Sequence, residues 1–399
     1  MNSAKLYAFG SNSDSSLGTG SNEETISTPR LVSFEQKSPV KMICCGSTLF
    51  SLLTDQGEVY VWGSVAWGSV SCKESIPQTP TKMDIPGRVV KICIGSSHCL
   101  AITDEGLLYS FGGNEMGALG LGDYINKYQF EQVTSLEGRF ITDIDAGYTF
   151  SIALTSLGDY YTFGENRYGQ CCLGHFNNSY EEPHFSFSLS SNKLSNVSLG
   201  SHYGLGLTKS HKVLAWGQGY GGQLGKRDTN RNTCRVVDKL KSIKIKSIHA
   251  GYCHCLAVSF DNSLYCWGNN IALQLGLKTL THISPPFQHP LFDGNVLNVY
   301  TNCCAYHSFI TTTEHKLFGM GSNSSHQITN DSASDFEKTS QSLESIELTE
   351  EDFWKKKEVH KIGVSAFSTI ALVSEVARIK TQLLLHISCF CDLTIKCLK

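Results

Sequence analysis

A short motif that ends in an aromatic residue or methionine followed by glycine recurs seven times along this 399-residue chain. The glycines of the seven copies are Gly10, Gly63, Gly112, Gly164, Gly217, Gly268 and Gly321. Neighbouring copies are 49 to 53 residues apart. A period of about 50 residues is typical of propellers and solenoids, in which each repeat is one supersecondary unit. The repeat therefore restricts the architecture, and function must reside in the loops that the scaffold carries.

A second motif precedes the later copies at a constant distance. Gly95 is followed three residues later by His98, which opens an apolar run, and Gly112 lies 14 residues after His98. The same 14-residue spacing leads to the repeat glycine from Leu49, Phe150, Tyr203, His254 and His307. Turn sequences such as Asp104-Glu105-Gly106 separate the two apolar runs, as expected of a β-hairpin. The constant spacing thus predicts, in each repeat, a hairpin of two strands that pair in the same register.

A weaker fourth strand follows a Leu-Gly turn in most repeats. These turns are Leu17-Gly18, Leu119-Gly120, Leu173-Gly174, Leu224-Gly225 and Leu275-Gly276. Four strands make one propeller blade. The chain begins on a third strand and reaches its last inner pair at residues 359–373. We therefore predict an all-β fold: residues 1–373 form a seven-bladed β-propeller of four-stranded blades. Pairing of the N-terminal and C-terminal strands closes the ring and removes a free sheet edge.

The repeat resembles that of the regulator of chromosome condensation family, in which a Gly-x-x-His strand precedes a Tyr-x-Trp-Gly strand and a Gly-x-Leu-Gly turn. The best matches are Gly95 to Ile102 and Gly251 to Val258, and Gly217 to Gly225 fits the second half. The resemblance covers about residues 1–373. It departs where residues 63–82 lack the Leu-Gly turn and where Ile328-Thr329 replaces it. The founding member of that family is a guanine-nucleotide exchange factor, so exchange on a Ran-like or other small GTPase is one implied function.

The net charge and the distribution of apolar residues limit the classes of partner and the cellular location that we expect. The formal net charge is -3, which implies no general attraction to nucleic acid or to an anionic membrane. The N-terminus has no basic segment followed by an apolar one, and no run of about 18 apolar residues occurs. We therefore expect a cytoplasmic or nuclear protein that binds other proteins, with no membrane or direct nucleic-acid contact. The propeller should be monomeric unless the C-terminal tail dimerises.

Sixteen cysteines are many, but their spacing is not that of a zinc site, because no Cys-x-x-Cys pair occurs. Several fall at small strand positions, namely Cys44, Cys93, Cys99, Cys255 and Cys266. The pattern favours free buried thiols that act as small apolar groups over metal or redox chemistry. The sequence predicts no cofactor and no metal, and no phosphate-binding glycine-rich loop marks a nucleotide pocket.

Two sets of residues recur at repeat positions and are interpreted as structural. His98, His254 and His307 share one position, which favours a bond to the backbone of a neighbouring blade over catalysis. Trp62, Trp216 and Trp267 fall on the strand before the repeat glycine and are expected in the core. Catalytic residues therefore remain unknown from the sequence.

Two charged segments are candidate partner contacts. One is locally basic and contains Lys239, Lys241, Lys244 and Lys246, and its alternative interpretation is a solvated strand edge. Alternation should place Lys244 and Lys246 on the same side of a strand. The other is a polar insert at residues 323–357 in the last repeat, with Glu350, Glu351 and Asp352 near its end. Such an insert is either disordered or a partner-binding element.

Residues 374–399 do not follow the repeat. The first half has the apolar spacing of a short helix, and Cys391 to Lys396 resembles the opening strand of a BTB/POZ domain. Either the chain is a truncated or spliced product of a longer BTB-containing protein, or the match is due to chance. Three functions follow from the whole sequence: a protein-interaction scaffold, which we favour, an exchange factor, and the substrate adaptor of a ubiquitin ligase if a BTB domain follows.

Overall fold

A computed structural model describes residues 4–32, 34, 38–64, 78–226, 229–328, 342–348, 353–354 and 357–375. In this part of the chain 28 strands form seven antiparallel sheets of four strands each. The single α-helix among the described residues, α1, has one turn, Phe187–Ser190. The predicted all-β, seven-bladed propeller is therefore confirmed.

The bounds of the strands follow the repeat. In chain order they are β1 (Lys5–Ser11), β2 (Thr25–Leu31), β3 (Val40–Cys45), β4 (Leu49–Thr54), β5 (Val59–Gly63), β6 (Thr81–Met83), β7 (Val89–Ile94), β8 (His98–Thr103), β9 (Leu108–Gly112), β10 (Lys127–Gln132), β11 (Ile141–Ala146), β12 (Phe150–Thr155), β13 (Tyr160–Glu165), β14 (Ser179–Phe185), β15 (Leu194–Leu199), β16 (Tyr203–Thr208), β17 (Val213–Gly217), β18 (Arg231–Val236), β19 (Ile245–Ala250), β20 (His254–Ser259), β21 (Leu264–Gly268), β22 (Ile283–Gln288), β23 (Val296–Tyr300), β24 (His307–Thr312), β25 (Leu317–Ser322), β26 (Ser342–Glu347), β27 (Lys357–Val364) and β28 (Ser368–Glu375). Short 3-10 turns lie at Ser13–Ser15, Thr134–Leu136 and Asp238–Leu240.

Six blades use consecutive strands, and the seventh uses both ends of the chain. Blade 1 is β3 to β6, and blades 2 to 6 follow in groups of four up to β26. Blade 7 has the order β27-β28-β1-β2. In it, β1 pairs with β28 from Lys5 opposite Val373 to Gly10 opposite Ser368. The predicted closure by N-terminal and C-terminal strands is confirmed.

The constant spacing of 14 residues is the register of the central hairpin. His98 lies directly opposite Gly112, and the same position pairs Leu49 with Gly63. At Gly63 the backbone has φ +108°, and a Cβ would lie 2.1 Å from the carbonyl oxygen of Thr48. Only glycine tolerates both the left-handed backbone and this close approach. The repeat glycine therefore fixes where the third strand leaves the hairpin.

The repeated tryptophans fill the interfaces between blades. Trp62, Trp216 and Trp267 have no exposed surface. The indole N–H of Trp216 donates to the carbonyl of Gln170 at 2.8 Å, and that of Trp267 donates to Gln223 at 2.9 Å. Both acceptors belong to the preceding blade, so each ring links two blades through packing and a hydrogen bond. Their predicted place in the core is confirmed.

The repeated histidines join neighbouring blades through a hydroxyl group, whereas the sequence suggested a backbone acceptor. The Nε2 atom of His98 lies 2.9 Å from the Ser151 hydroxyl of the next blade. That hydroxyl donates to the carbonyl of Ala118 at 2.8 Å, so the His98 ring must donate its Nε2–H to Ser151. Burial lowers the pKa of His98 to about 4, so the ring is neutral. His254 bonds Ser308 and His307 bonds Thr369 at the same position.

The last repeat, which lacks the Leu-Gly turn, still forms a four-stranded blade. Ile328 is buried, and its N–H bonds the Asn323 side chain, as Leu17 bonds Asn12 in another repeat. Part of the predicted insert is the fourth strand of blade 6, β26. Farther along the insert, Trp354 is only 3% exposed and its ring lies 6.0 Å from that of Phe9. The insert is therefore anchored to blade 7 rather than being a free loop throughout.

In blade 3 the tight turn lies earlier than the Leu173-Gly174 pair predicted from the sequence. The backbone N–H of Cys171 bonds the Asn166 side chain, as Leu119 bonds Asn114 in blade 2. Cys172 then takes the left-handed position with φ +56°. A cysteine therefore occupies a backbone conformation for which other repeats use glycine.

Successive strands of a blade run in opposite directions, so the connections between them fall alternately on two opposite faces of the ring. The turn face carries the hairpin turns between second and third strands and the connections between blades. The loop face carries the loops from first to second strand, near the axis, and from third to fourth strand, farther out.

Candidate protein-interaction faces

The basic segment predicted from the sequence lies on the turn face. Lys239 and Lys241 are in the turn that connects blade 4 to blade 5, and Lys244 and Lys246 flank the start of β19. All four are exposed, whereas Ile245 between the last two is buried. The expected side of the strand for Lys244 and Lys246 is therefore correct. Their role as a partner contact stays a prediction.

Three further lysines from blade 4 extend this basic surface. The backbone N–H of Lys209 donates to the carbonyl of Lys193 at 3.1 Å, which joins the hairpin turn of blade 4 to the entry into that blade. Next to them, Ile245 donates to the carbonyl of His211 at 3.2 Å, which brings blade 5 alongside. The exposed lysines of this surface, called the lysine patch below, are Lys193, Lys209, Lys212, Lys239, Lys241, Lys244 and Lys246.

The ammonium groups of the lysine patch are largely uncompensated. Among the described residues no carboxylate lies within ion-pair distance of them, and Lys246 donates to the side-chain oxygen of Asn262 at 3.3 Å. Phe260 lies within the patch, 54% exposed, with its ring 4.7 Å from that of His211. An exposed aromatic side chain among unpaired cations is the composition expected of a contact surface for an acidic protein.

The turn face has a different charge over blades 1 to 3. Its exposed carboxylates there are Asp55, Asp84, Asp104, Glu105 and Glu137, and its exposed guanidinium groups are Arg88 and Arg139. In the turns of blades 4 and 5 the exposed lysines outnumber the exposed carboxylates, which include Asp238 and Asp261, so this sector of the face is positive. A sector of this kind orients a charged partner as it approaches.

The other predicted contact residues, Glu350, Glu351 and Asp352, lie outside the described residues. The same holds for residues 376–399, which contain the BTB-like segment. Their roles stay predictions.

The loop face carries an aromatic cluster around the axis that sequence reasoning missed. The rings of Tyr252 and Tyr306 stack with centroids 4.5 Å apart, and Tyr148 meets Tyr252 edge-on at 5.8 Å. His202 stacks on Tyr148 at 5.8 Å and meets Tyr168 at 5.3 Å. These five side chains, called the tyrosine cluster, are half-buried. Burial raises the pKa of Tyr148 and Tyr252, so both phenols stay neutral.

A buried carboxylate supports the rim of the tyrosine cluster. Glu165 is 5% exposed and accepts from the Thr149 hydroxyl at 2.6 Å and from Nε of Arg167 at 2.8 Å. Its other close neighbour is Nε2 of His202 at 3.4 Å. Burial opposes ionisation of Glu165, but the hydrogen bonds from His202 and Thr149 outweigh it and lower the pKa. The charges at this rim therefore neutralise one another.

The loops beneath the cluster are joined by a belt of backbone hydrogen bonds from blade to blade. Each loop N–H donates to the corresponding carbonyl of the next blade, with distances of 2.8 to 3.1 Å. The pairs are Ser47 to Ser96, Ser96 to Tyr148, Tyr148 to Ser201, Ser201 to Tyr252 and Tyr252 to Ala305. The tyrosines thus stand on a rigid base.

An enlarged loop of blade 6 reaches across the axis. It runs from Thr301 to Tyr306, whereas Gly95 to Ser97 suffices in blade 2. The Asn302 side chain donates to the carbonyl of Cys45 in blade 1, and Cys304 approaches the carbonyl of Gly95 at 3.7 Å. The extra length of this loop is visible in the sequence and could have indicated that the loop reaches other blades.

One carboxyl in the central channel has an unusual pKa. Asp145 of β11 accepts from the backbone N–H groups of Leu199 at 2.8 Å and Ala146 at 2.9 Å. Burial raises its pKa to about 6, and the nearby Lys91 ammonium opposes that rise. Within the described ranges no group of three or more His, Cys, Asp or Glu residues is arranged to hold a metal ion. No helix there is long and apolar enough to cross a membrane.

Comparisons with known proteins agree with this architecture. Residues 1–300 match the family model of the RCC1-like domain. The chain is 30% identical over 276 residues to the ultraviolet-B receptor UVR8 of Arabidopsis thaliana, covering 68% of this chain and 51% of the relative. It is 29% identical over 203 residues to the probable E3 ubiquitin-protein ligase HERC6 of Homo sapiens, covering 50% of this chain and 20% of the relative. The chain thus spans about half or less of the length of these relatives.

Solved structures share the fold at low sequence identity. Prp20p from Saccharomyces cerevisiae has a TM-score of 0.80 at 16% identity, with 97% of this chain and 95% of that chain covered. Human WBSCR16 has a TM-score of 0.77 at 17% identity, with 94% of this chain and 99% of that chain covered. At this identity the similarity establishes the closed ring only.

Proposed function

Because the chain belongs to the RCC1-like domain family, we propose that it is a protein-interaction scaffold whose turn face binds an acidic protein segment through the lysine patch. The observation that carries this proposal is the set of seven exposed lysines on blades 4 and 5 that lack a carboxylate partner among the described residues. Like charges gathered on one surface repel each other, and an acidic partner relieves that repulsion.

Phe260 supplies the apolar part of the contact. Interfaces depend on a few aromatic or arginine side chains near the centre, and the surrounding charges set orientation and association rate. Phe260 is 54% exposed, and its backbone N–H bonds the carbonyl of Lys244, which places it within the patch. The partner segment should therefore combine carboxylates with at least one apolar side chain.

The variety of the relatives supports a binding role over a chemical one. One relative is named as a light receptor, and others are named as ubiquitin-protein ligases. Such different activities share this propeller, which is the behaviour of a scaffold that carries variable surfaces. The adaptor function depends on a BTB domain that would follow this propeller, and it is not part of the proposal.

Charge reversal tests the proposal. The variant Lys241→Glu/Lys244→Glu should lose more than ten-fold of its partner binding in a pull-down, because two attractive contacts become repulsive. The control variant Lys5→Glu/Lys278→Glu makes the same change in net charge at exposed positions outside the patch. Equal retention of partner by the two variants would contradict the proposal. Binding that does not weaken between low and moderate salt would contradict it as well.

Nucleotide exchange is the second candidate, because Prp20p has been described for its binding to Gsp1p and to histones. An exchange factor must bind the nucleotide-free GTPase more tightly than the loaded form. We expect no acceleration of labelled GDP release from Ran by catalytic amounts of the propeller, since its formal net charge is -3. Release at sub-stoichiometric amounts would favour exchange over the scaffold.

A further inference from the structure

The connection from blade 1 to blade 2 is shorter than those that follow it. Five residues, 84–88, join β6 to β7, whereas eight residues make the same connection after blades 2, 3 and 4. In each longer connection one leucine points inward and is buried against the blades that it joins. These inward residues are Leu136, Leu189 and Leu240, and the connection after blade 5 buries Phe292 similarly; none is more than 3% exposed. The repeat therefore has a place for one large apolar side chain between neighbouring blades.

Pro86 explains why blade 1 lacks such an inward side chain. In blade 2 the N–H of Leu136 donates to the carbonyl of Val133 at 3.2 Å, which closes a 3-10 turn. Met83 takes the place of Val133, since each lies opposite the first residue of the third strand. The residue three positions after Met83 is Pro86, which has no N–H to donate and is exposed. Within the described residues 84–88 no turn of this kind forms, so the place stays open to solvent.

The open place is a cleft of about 380 Å³ on the turn face, between the hairpin turn of blade 1 and the connection 84–88, and it is called the blade 1 cleft below. Val59 and Val89 line the cleft and are each 2% exposed. Met83 and Ile85 also line it and are half-buried. The volume is in the range of pockets that hold a small ligand. Met83 and Ile85 therefore expose apolar surface that an entering side chain can cover.

Polar contacts hold the walls of the blade 1 cleft. On one wall Lys82 forms an ion pair with Glu58 at 2.9 Å. On the other wall the guanidinium of Arg88 donates to the carbonyl of Asp55 at 2.9 Å, which joins the connection to the hairpin turn of blade 1. The carbonyl of Arg88 accepts from the backbone N–H of Asp104 at 2.9 Å, which joins the connection to blade 2. The cleft is therefore formed before a ligand arrives, and binding needs little ordering of the chain.

The mouth of the blade 1 cleft carries more negative than positive charge. Asp84 is exposed and makes no ion pair among the described residues. The carboxylates of the cleft and of the turns beside it are Asp55, Glu58, Asp84, Asp104 and Glu105, and the cations there are Lys41, Lys82 and Arg88. The lysine patch on blades 4 and 5 has the opposite sign, so the two sectors of the turn face attract different partners.

We propose that the blade 1 cleft docks a segment of another protein that inserts one leucine- or phenylalanine-sized side chain flanked by lysine or arginine. Leucine and phenylalanine are the residues that the repeat itself buries at this position after blades 2 to 5. The excess of carboxylates at the mouth favours basic flanks, because opposite charges speed association and orient the segment. The site lies apart from the lysine patch and binds a segment of opposite charge, so it does not depend on the function proposed above.

The inserted side chain should dominate the affinity, because burying a leucine side chain strengthens binding by about ten-fold or more relative to alanine. The probe is a fluorescein-labelled peptide, Lys-Lys-Leu-Lys-Lys, and its control carries alanine at the centre. Fluorescence polarisation with the full chain measures both affinities. We expect the leucine peptide to bind at least about ten-fold more tightly than the alanine peptide. Equal affinities would overturn the proposal, because flanking charge alone would then account for binding.

Photocrosslinking locates the bound side chain on the unmodified chain. The same peptide with photo-leucine at its centre is irradiated together with the full chain, and the points of attachment are found by peptide mass spectrometry. Attachment should fall within residues 56–59 and 82–89, which line the blade 1 cleft. Attachment confined to other surfaces, the lysine patch included, would refute the site. Self-association of the chain that blocks attachment would assign the cleft to a second copy and overturn the proposal as well.

Variants with matched controls complete the test. Replacing residues 84–88 by the blade 2 sequence of residues 134–140 supplies an inward leucine, so attachment should be lost while the melting temperature stays equal or rises. Asp84→Lys should weaken peptide binding several-fold, whereas Glu115→Lys, the same charge change at an exposed position on the loop face, should not. Lys241→Glu/Lys244→Glu should keep the difference between the leucine and alanine peptides, so this site and the lysine patch can fail separately. Attachment that persists in the folded replacement variant would contradict the proposal.

Discussion

The two faces of the ring use their side chains in opposite ways. On the loop face, Tyr148, Tyr252 and Tyr306 bury half of their surface against each other, and the Glu165 carboxylate is satisfied by its neighbours. On the turn face, the lysine patch makes no ion pair within the described part of the chain. The first arrangement stabilises the molecule and the second leaves interactions for a partner. One scaffold thus separates stability on the loop face from recognition on the turn face.

Removal of the N-terminal strands should have the largest effect, because both faces depend on the closed ring. Deleting residues 1–32 takes β1 and β2 from blade 7 and exposes the edge of β28, which β1 now covers along six residue pairs. We expect aggregation or a melting temperature lower by more than 10 °C, as loss of half a blade removes ladder bonds and one blade interface. Thermal unfolding followed by circular dichroism measures it. A soluble truncated chain with unchanged melting would contradict the pairing.

Acid should destabilise both faces together through the buried histidines. Burial lowers the pKa of His98 to about 4 and of His254 and His307 to about 3, below the unfolded value of about 6.5. Between these values the unfolded chain binds more protons, so stability falls as pH falls from about 6.5 toward 4. Each histidine contributes at most about 1.4 kcal/mol per pH unit. Denaturation at pH 7 and pH 5 measures the loss, and a smaller loss is expected in His254→Gln. Equal stability at both pH values would contradict this account.

Truncation within the tyrosine cluster should separate the faces. Tyr252→Ala removes the ring between Tyr148 and Tyr306, and we expect a loss of about 2–3 kcal/mol, since half-buried aromatic side chains carry both packing area and ring contacts. The matched truncation Phe260→Ala on the turn face should cost less than about 1 kcal/mol, because 54% of that side chain is already exposed. Chemical denaturation compares the two. The prediction fails if the order of the two losses is reversed.

Changes in the lysine patch should have the smallest effect on stability. Lys241→Ala and Lys244→Ala each remove an exposed side chain without an ion pair among the described residues, so stability should stay within about 0.5 kcal/mol. Partner binding should nevertheless weaken. A melting temperature that falls as far as that of Tyr252→Ala would show that these lysines are structural.

The spacing of residues within each repeat predicted the fold, because the strands that pair most closely are neighbours in the sequence. The 14 residues from His98 to Gly112 are one hairpin, and the backbone at Gly112 admits only glycine, so register could be read directly. The closure followed from counting strands. The turn of blade 3 was misplaced, because Cys172 takes a glycine conformation that its residue type does not announce.

The site could be predicted only in part, because its members come from different blades. Lys239 to Lys246 are close in sequence and were visible as a charged segment. Lys193 and Lys209 belong to the preceding blade and join the segment only through the ring. The tyrosine cluster was missed for the same reason, since Tyr148 and Tyr306 are three repeats apart and no local pattern links them.

The most direct test of the account is lysine footprinting of the propeller with and without its captured partner. Exposed amines are acetylated, and the extent at each lysine is read by mass spectrometry. The account predicts that Lys209, Lys239, Lys241 and Lys244 are protected several-fold in the complex, while Lys5 and Lys278 are modified equally in both states. Protection confined to lysines outside the patch, with Lys241 and Lys244 fully reactive in the complex, would contradict the claim that the turn face is the binding surface.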